Sequence, residues 1–198
     1  MRTDKTCLET PRLKLRPHQE SDLAAIHAFS CDPEVVKYMQ WGPNTEEQTR
    51  KFLKQSIANQ KVVEKTSYDF VVVEKESGRL VGSITLRLAK PDSKLGEVGY
   101  CFNRESWGKG YASETVQAVM QYGFEKLELH KITATCDPDN LGSAKVLMKC
   151  GMLQEGYFRK HLFMKGQWKD TLFFGTTRED QASNMTEYKE KGARVCVP

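Results

Sequence analysis

Residues 107–113 read Trp-Gly-Lys-Gly-Tyr-Ala-Ser, between a strand-like run at 97–102 and a helical pattern over 111–126. Glycine lacks Cβ and adopts positive φ without strain, so consecutive backbone N–H groups of this stretch can point into one concavity. A helix that begins near Tyr111 adds the partial positive charge of its N-terminus. The stretch therefore predicts a cradle for a pyrophosphate, although glycine also ends strands for steric reasons alone.

Two common phosphate-binding patterns do not fit these residues. The P-loop pattern requires Ser or Thr after its Gly-Lys pair, where this chain has Gly110. The dinucleotide fingerprint requires a third glycine at the position of Ser113. It also requires an acidic residue about 20 positions further on, where this chain has His130 and Lys131. The prediction is therefore a glycine turn that holds phosphate without either fingerprint.

The elements that position this stretch follow from apolar periodicity and turn signals. Thr45 and Gln48 form a capping-box pattern, which predicts the start of a helix. A right-handed crossover would make the strands before and after the central helix parallel, and helices should cover both faces of the resulting mixed sheet. The predicted elements, in order, are a strand at 8–17, helices at 20–31, at 32–39 and from 45, a hairpin at 67–88, a strand at 97–102, a helix at 111–126, a strand at 131–136, a helix at 140–150, and strands at 153–160 and 170–178.

The composition is typical of one soluble domain. The chain has 198 residues, 39% hydrophobic and 28% charged, with a formal net charge of +4. Such a mild charge gives no basic stripe, so no nucleic-acid partner is expected. No apolar run approaches the ~20 residues that span a bilayer, so no membrane association is expected. The six cysteines lack a C-x-x-C pair and the four histidines lack ligand spacing. These patterns predict reduced thiols, a cytoplasmic location and no metal site.

Four segments together resemble one family: LETPRLKLRP at 8–17, GEVGYCFNRESWGKGYASE at 96–114, DPDNLGSAKVLMKCGMLQEG at 137–156 and GQWKDTLFFG at 166–175. As an ordered set they resemble the GNAT superfamily of acetyl-CoA-dependent N-acetyltransferases, and more narrowly the RimJ/RimL-type branch, which acetylates ribosomal-protein N-termini. The resemblance covers residues 8–178 and implies a single mixed α/β GNAT domain. Its sheet should be mostly antiparallel, with helices on both faces and a splayed central pair of parallel strands. Residues 179–198 are expected to form a polar, poorly ordered tail.

The resemblance implies acetyl-CoA as cosubstrate. The pyrophosphate-loop pattern of the family falls on Trp107 to Ala112, where Gly110 and Ala112 match and Trp107 replaces a Gln or Arg. Asn140 aligns with an asparagine that meets the pantetheine arm, and it suits the N-cap of the next helix equally well. The residues expected to contact acetyl-CoA are Tyr100, Cys101, Phe102, Trp107, Gly108, Lys109, Gly110, Tyr111, Ala112, Ser113, Asn140, Ser143 and Lys149.

The resemblance also bears on the general acid. The wider superfamily often has a catalytic tyrosine four residues before the glycine that ends the last helix, where this chain has Leu147. Ser143 lies one helical turn earlier on the same face. The resemblance to the RimL type implies that this serine protonates the departing thiolate. A hydroxyl that bonds back to its own helix is the alternative.

A general base is needed because an amine of pKa ~8 to ~10 is mostly protonated at neutral pH. A pantetheine arm of roughly 15 Å covers about four or five residues of strand. The thioester then lies near residues 98–99, and the amine lies within reach of Glu97. Glu155, on the strand after the last helix, is the competing base, and a reaction without either carboxylate stays open. An acetyl-Cys101 intermediate is the covalent alternative, but no histidine lies near it in sequence to lower the pKa of its thiol.

The acceptor is expected to bind at Tyr38 and Trp41 and at Trp168 in the late turn, because aromatic side chains with acidic neighbours suit an amine. A loop packed against the core would give the same pattern. The sequence therefore predicts an enzyme that transfers acetyl from acetyl-CoA to a primary amine, first of all a protein N-terminal α-amine, by direct attack in a ternary complex. It would act as a monomer or homodimer.

Three alternatives remain. One is an acetyltransferase for a small amine such as a polyamine or an aminoglycoside-like compound. Another is a CoA-binding module without turnover, since Leu147 leaves the usual acid unassigned. The third is a dinucleotide-binding oxidoreductase domain, against which Ser113 argues.

Overall fold

The computed structural model describes residues 6–181 of the chain. The strands are β1 Leu8–Glu9, β2 Leu13–Pro17, β3 Ser67–Glu74, β4 Leu80–Leu88, β5 Leu95–Phe102, β6 Lys131–Cys136, β7 Leu153–Met164 and β8 Gln167–Thr177. The helices are α1 Leu23–Ser30, α2 Glu46–Asn59, α3 Tyr111–Glu125 and α4 Leu141–Lys149.

The strands form one sheet in the order β1-β2-β3-β4-β5-β6-β8-β7. Neighbouring strands are antiparallel except β5 and β6, which are parallel, as the crossover through α3 requires. The predicted mixed, mostly antiparallel sheet with a central parallel pair is therefore confirmed.

The two parallel strands pair over a short length only. Leu95 to Glu97 lie opposite Lys131 to Thr133, and the pairing ends there. Beyond that point β5 stays paired with β4, and β6 stays paired with β8. The two strands therefore diverge, and we call the gap between residues 98–102 of β5 and 134–136 of β6 the wedge.

Alternation along β5 divides the molecule into two layers. Gly96 and Val98 face the main core, where α3 and α4 pack, and a Cβ at Gly96 would lie 2.8 Å from Leu129. Cys101 faces the other side, in a smaller core with residues of α1 and α2. Helices cover both faces of the sheet, as predicted, and the central strand is held between them.

The apolar face of α3 fixes the helix that follows the glycine stretch. Val116, Val119, Met120 and Phe124 recur at helical spacing, and all four are buried. Burying a side chain of this size stabilises by roughly 1.5–3 kcal/mol before the cost of ordering it is counted. The N-terminus of α3 is thereby held close to the end of β5.

The strand predicted at 8–17 is wrong in one respect, because it is two strands joined by a turn. Pro11 has no N–H with which to continue a ladder, so the chain turns there. The Thr10 N–H donates to the Leu13 carbonyl at 2.9 Å, and the Leu13 N–H donates to Thr10 Oγ1 at 2.9 Å. The result is a tight β1–β2 hairpin beside the start of α3.

Three further details differ from the predicted elements or lie beyond them. The helix predicted at 32–39 is a series of turns, which leaves a long irregular connection between α1 and α2. The closing strands β7 and β8 are longer than predicted and meet at a turn made by Lys165 and Gly166, both with positive φ. Residues 178–181 form a helical turn, which includes the first three residues of the tail predicted at 179–198, and the rest of that tail lies outside the described residues.

Candidate active site

The glycine stretch forms a loop whose backbone donors are free. Gly108 and Gly110 have φ of 75° and 81°, and Gly110 is the N-cap of α3. The first hydrogen bond of that helix runs from the Glu114 N–H to the Gly110 carbonyl at 3.1 Å. Among residues 6–181, no protein group accepts from the N–H groups of residues 108–113. Six consecutive donors at a helix N-terminus can therefore bind an anion.

Arg12 fixes the orientation of this loop. Its Nη1 donates to the Lys109 carbonyl at 3.0 Å, and its guanidinium lies 4.8 Å from the centre of the Tyr111 ring. In a trans peptide the carbonyl and the following N–H point in opposite directions. Holding the Lys109 carbonyl toward Arg12 therefore turns the Gly110 N–H away from Arg12, to the open side of the loop.

Glu114 connects the first turn of α3 to the β1–β2 hairpin. Its carboxylate accepts from Thr10 Oγ1, from the Arg12 N–H at 3.0 Å and from Arg12 Nε at 2.7 Å. Burial works to raise the pKa of this carboxyl, but the hydrogen bonds from Thr10 and Arg12 outweigh burial and hold the pKa below its usual range. The negative charge of Glu114 also interacts favourably with the partial positive charge at the N-terminus of α3.

The remaining predicted members of the loop differ in exposure. Trp107, which replaces the expected Gln or Arg, turns back and donates from Nε1 to the Phe102 carbonyl at 3.0 Å. Ser113 is buried, and its carbonyl accepts a weak hydrogen bond from the Cys150 thiol. Lys109, in the loop, and Lys149, the last residue of α4, are both exposed. Ala112 is half-buried in the first turn of α3.

Tyr100, on the β5 side of the wedge, contacts α4. The Tyr100 hydroxyl lies 2.9 Å from Ser143 Oγ. Asn140 caps α4, because its Oδ1 accepts from the Ser143 N–H at 3.1 Å. Leu147, at the position of the expected tyrosine, is fully buried in the core. Ser143 is therefore the hydroxyl of α4 that the structure brings to the wedge.

Cys101 is poorly suited to act as a nucleophile. It lies on the opposite face of β5 from Tyr100, in the smaller core. Burial raises the pKa of its thiol to about 12. Since the thiolate is the reactive form, the thiol is almost entirely inert at neutral pH. The geometry thus argues against the covalent alternative.

The two candidate bases lie on the face of the sheet that α1 and α2 cover, at similar positions along the direction of the strands. Glu97 is exposed, and its register partners are Arg87 on β4 and Thr133 on β6. Thr133 in turn pairs with Gly175 on β8, and the Glu155 carboxylate lies over that glycine, where a Cβ would be 2.6 Å away. Two strand spacings, about 10 Å, separate the backbones at Glu97 and Gly175.

Glu155 forms an ion pair with a residue of β6. Its carboxylate is 2.7 Å from Lys131 Nζ, and Lys131 lies at the paired end of β6. The sequence prediction missed this ion pair because the two residues meet only through the sheet register. Within residues 6–181, no hydrogen bond or ion pair involves the Glu97 carboxylate.

The expected acceptor residues lie on two segments that meet. Tyr38 and Trp41 belong to the connection between α1 and α2, and Trp168 lies near the tip of the β7–β8 hairpin, 5.4 Å from Phe163 between ring centres. Lys165 at that tip donates from Nζ to the Val36 carbonyl at 2.8 Å. The hairpin is thus tied to the α1–α2 connection, and both tryptophans remain exposed.

Among residues 6–181, no group of three His, Cys, Asp or Glu side chains converges where a metal ion could bind. No helix over these residues is both long and apolar enough to cross a bilayer.

Residues 12–153 match the family described as acetyltransferase (GNAT) domain. The chain is 33% identical over 173 residues to the uncharacterized N-acetyltransferase YnaD of Bacillus subtilis (strain 168). The aligned region covers 87% of this chain and 98% of that protein. It is 28% identical over 186 residues to spermidine N(1)-acetyltransferase of Escherichia coli (strain K12), covering 94% of this chain and 95% of that protein.

Solved structures give the same comparison. A GNAT-family acetyltransferase from Bacillus anthracis superposes with a TM-score of 0.79 and 34% identity, over 88% of this chain and 99% of that one. A ribosomal-protein-S5-alanine acetyltransferase from Vibrio fischeri superposes with a TM-score of 0.74 and 26% identity, over 88% of this chain and 98% of that one.

The bonds to Glu114 predict a pH-dependent contribution to stability. A carboxyl with a lowered pKa in the folded state stabilises the fold above its unfolded pKa, and this stabilisation is lost as the pH falls through the folded pKa. Glu114→Gln should therefore melt at a lower temperature than the wild type at pH 7, and the difference should shrink as the pH falls toward 3.5.

Thermal unfolding followed by circular dichroism checks this expectation. Glu125→Gln is the matched control, since Glu125 is exposed at the other end of α3 and should change the melting temperature little. A Glu114→Gln deficit that stayed constant down to pH 3.5 would contradict the role given to the carboxylate.

Proposed function

The chain belongs to the GNAT acetyltransferase family, and from that premise we propose that it transfers the acetyl group of acetyl-CoA to the N-terminal α-amine of a protein, by direct attack in a ternary complex. The observation that carries the proposal is the course of the wedge. β5 runs from the exposed Glu97 along the wedge to Phe102, and residues 103–107 then lead to the free N–H groups of residues 108–113. One strand thus connects an anion site to a carboxylate.

The cradle and the wedge fit acetyl-CoA. The N–H groups of residues 108–113 would hold the pyrophosphate. The arm would follow β5 past Phe102, Cys101 and Tyr100, and a reach of roughly 15 Å ends near residues 98–99. When bound, acetyl-CoA supplies the activated acetyl group. Lys109 and Lys149 would lie near the 3′-phosphate, and Asn140 would serve both as N-cap and as a contact of the arm.

Glu97 is proposed as the base. Its carboxylate is exposed, and no described side chain forms a hydrogen bond or ion pair with it. Glu155 is held by the ammonium of Lys131, so it is less available to accept a proton. Glu155 is better suited to bind the positively charged end of the acceptor. Ser143, beside the wedge, would donate a proton to the departing sulfur.

We propose that the acceptor binds at Tyr38, Trp41 and Trp168. These residues lie on two segments that the hydrogen bond from Lys165 to the Val36 carbonyl holds together, and both tryptophans are exposed. An exposed aromatic surface of this kind suits the end of a peptide chain. Similarity to a ribosomal-protein-S5-alanine acetyltransferase supports an α-amine. A small polyamine is the second candidate, since similarity to a spermidine N(1)-acetyltransferase extends over 95% of that protein.

A cytoplasmic location and a monomeric or homodimeric state belong to the same proposal. The support for the location is that the described cysteines are all free thiols, namely Cys7, Cys31, Cys101, Cys136 and Cys150. Unpaired thiols are typical of a reducing compartment.

Thiol release from acetyl-CoA tests the proposed function. Purified protein is given acetyl-CoA with peptides that begin with Ala or Ser, with the same peptides N-terminally blocked, and with spermidine. We expect release with the free peptides and none with the blocked ones. A clear preference for spermidine would favour the second candidate. No release above the blank with any amine would leave only a CoA-binding module and would contradict the proposal.

The choice between the two carboxylates is tested by pH profiles. Glu97→Gln should lose roughly 10²-fold in kcat/KM at pH 7, the usual scale for a general base, and should recover partly at pH 9, where more of the amine is unprotonated. Glu155→Gln, the matched control on the other side of Thr133, should change the acceptor KM more than kcat.

The two profiles can contradict this assignment in different ways. If the pH-dependent loss follows Glu155→Gln, the base is Glu155 and Glu97 binds the acceptor. If neither variant changes the profile, water alone takes the proton and no carboxylate base operates.

A further inference from the structure

Tyr100 connects β5 to α4 beside the wedge. It lies on β5 three positions beyond Glu97, where pairing with β6 ends, and its side chain is half-buried on the α4 side. Its hydroxyl lies 2.9 Å from Ser143 Oγ and 3.4 Å from the Ser143 carbonyl oxygen. A side-chain hydrogen bond therefore connects β5 to α4 at the depth where the strands no longer pair.

The Ser143 hydroxyl is not bonded back to its own helix. Its main-chain N–H is used by the Asn140 cap. Over residues 6–181, the neighbours of its Oγ are the Tyr100 hydroxyl and the Cys136 thiol, and no backbone carbonyl of α4 accepts from it. The alternative in which the Ser143 hydroxyl bonds back to its own helix thus does not hold. The direction in which this hydroxyl points its proton depends on the neighbouring side chains.

Both neighbours keep their protons at neutral pH. Burial raises the pKa of Tyr100 well above its usual range, and the hydrogen bond with Ser143 offsets only part of that rise. Burial also raises the pKa of the Cys136 thiol to about 11. A serine hydroxyl has one proton and two acceptor positions. When Tyr100 donates to one acceptor position, the proton of Ser143 points away from the phenol.

We propose that Tyr100 is a positioning residue for Ser143: by donating to Ser143 Oγ it fixes the direction of the serine proton and stabilises the oxygen as that proton leaves. The inference rests on the proposed function, in which the departing sulfur takes the proton. Tyr100 keeps its own proton throughout, so it acts through Ser143 and is not itself the acid.

The protons balance in this scheme. The attacking amine forms the new C–N bond and releases one proton. As the C–S bond breaks, its electron pair stays on sulfur, and the Ser143 proton moves to sulfur. A proton equivalent to the one released by the amine returns to Ser143 through water. No oxidant or further reactant is required.

Removal of one oxygen tests the inference. Tyr100→Phe keeps the ring in the wedge and should lower kcat about 10-fold, with the KM values for acetyl-CoA and acceptor changed less than about twofold. Ser143→Ala should lower kcat about 100-fold, within the range of general acid catalysis. The double variant should be no slower than Ser143→Ala alone, because Tyr100 acts only through that serine.

The matched control is Tyr68→Phe, the same change at another half-buried tyrosine, which packs against Tyr122 of α3 at 5.7 Å. It should keep the wild-type kcat. Melting temperatures measured with and without acetyl-CoA show that each variant is folded and binds the cosubstrate.

Several results would overturn the inference. A Tyr100→Phe variant with wild-type kcat but a raised KM for acetyl-CoA would mean that Tyr100 shapes the acetyl-CoA site and does not act through Ser143. A double variant slower than Ser143→Ala by the full Tyr100→Phe factor would mean that the two hydroxyls act independently. An inactive wild type would overturn the proposed function and this inference together, whereas an active wild type with an unaffected Tyr100→Phe variant would overturn the inference alone.

Discussion

The wedge exists because β5 loses its β6 partner after Glu97 while it keeps β4. A strand in the middle of a sheet normally has both edges paired, and buried backbone groups without partners are costly. Residues 98–102 of β5 therefore present an edge inside the molecule that an extended, amide-containing ligand could pair with. The rest of the site is arranged around this interrupted ladder.

Packing and hydrogen bonds hold the gap open. Val98 anchors β5 in the main core, and Cys101 anchors it in the smaller one, so the strand cannot move toward β6 without disturbing a core. The hydrogen bond between Tyr100 and Ser143 ties β5 to α4 beside the gap, and Asn140 caps the start of α4. At the mouth, Arg12 and Glu114 orient the loop. Within residues 6–181, no protein group accepts from the backbone N–H groups of residues 108–113.

The sequence predicted most of what depends on local chemistry. Gly108 and Gly110 indicated a loop with positive φ, and the apolar spacing from Val116 to Phe124 indicated the helix behind it. The parallel pairing followed from the handedness of the crossover. Pro11 falls inside the strand predicted at 8–17, although proline has no backbone N–H for a strand ladder and therefore already indicates the turn.

Contacts between residues distant in sequence could not be predicted from local chemistry. Arg12 and Glu114 are 102 positions apart, and their meeting depends on how the β1–β2 hairpin packs against α3. The pairing of Glu155 with Lys131 needed the register of β6, β8 and β7, where one bulge changes which side chains meet. For Tyr100 the sequence predicts only a contact with the cosubstrate, because its hydrogen bond to Ser143 depends on the angle between β5 and α4.

Amide hydrogen exchange at single residues, measured by NMR with and without acetyl-CoA, tests the central claim most directly. The N–H groups of residues 108–113 should be protected from exchange when acetyl-CoA binds, and the Gly110→Val variant should show no such protection. Unchanged exchange at these six positions together with protection elsewhere would contradict the account.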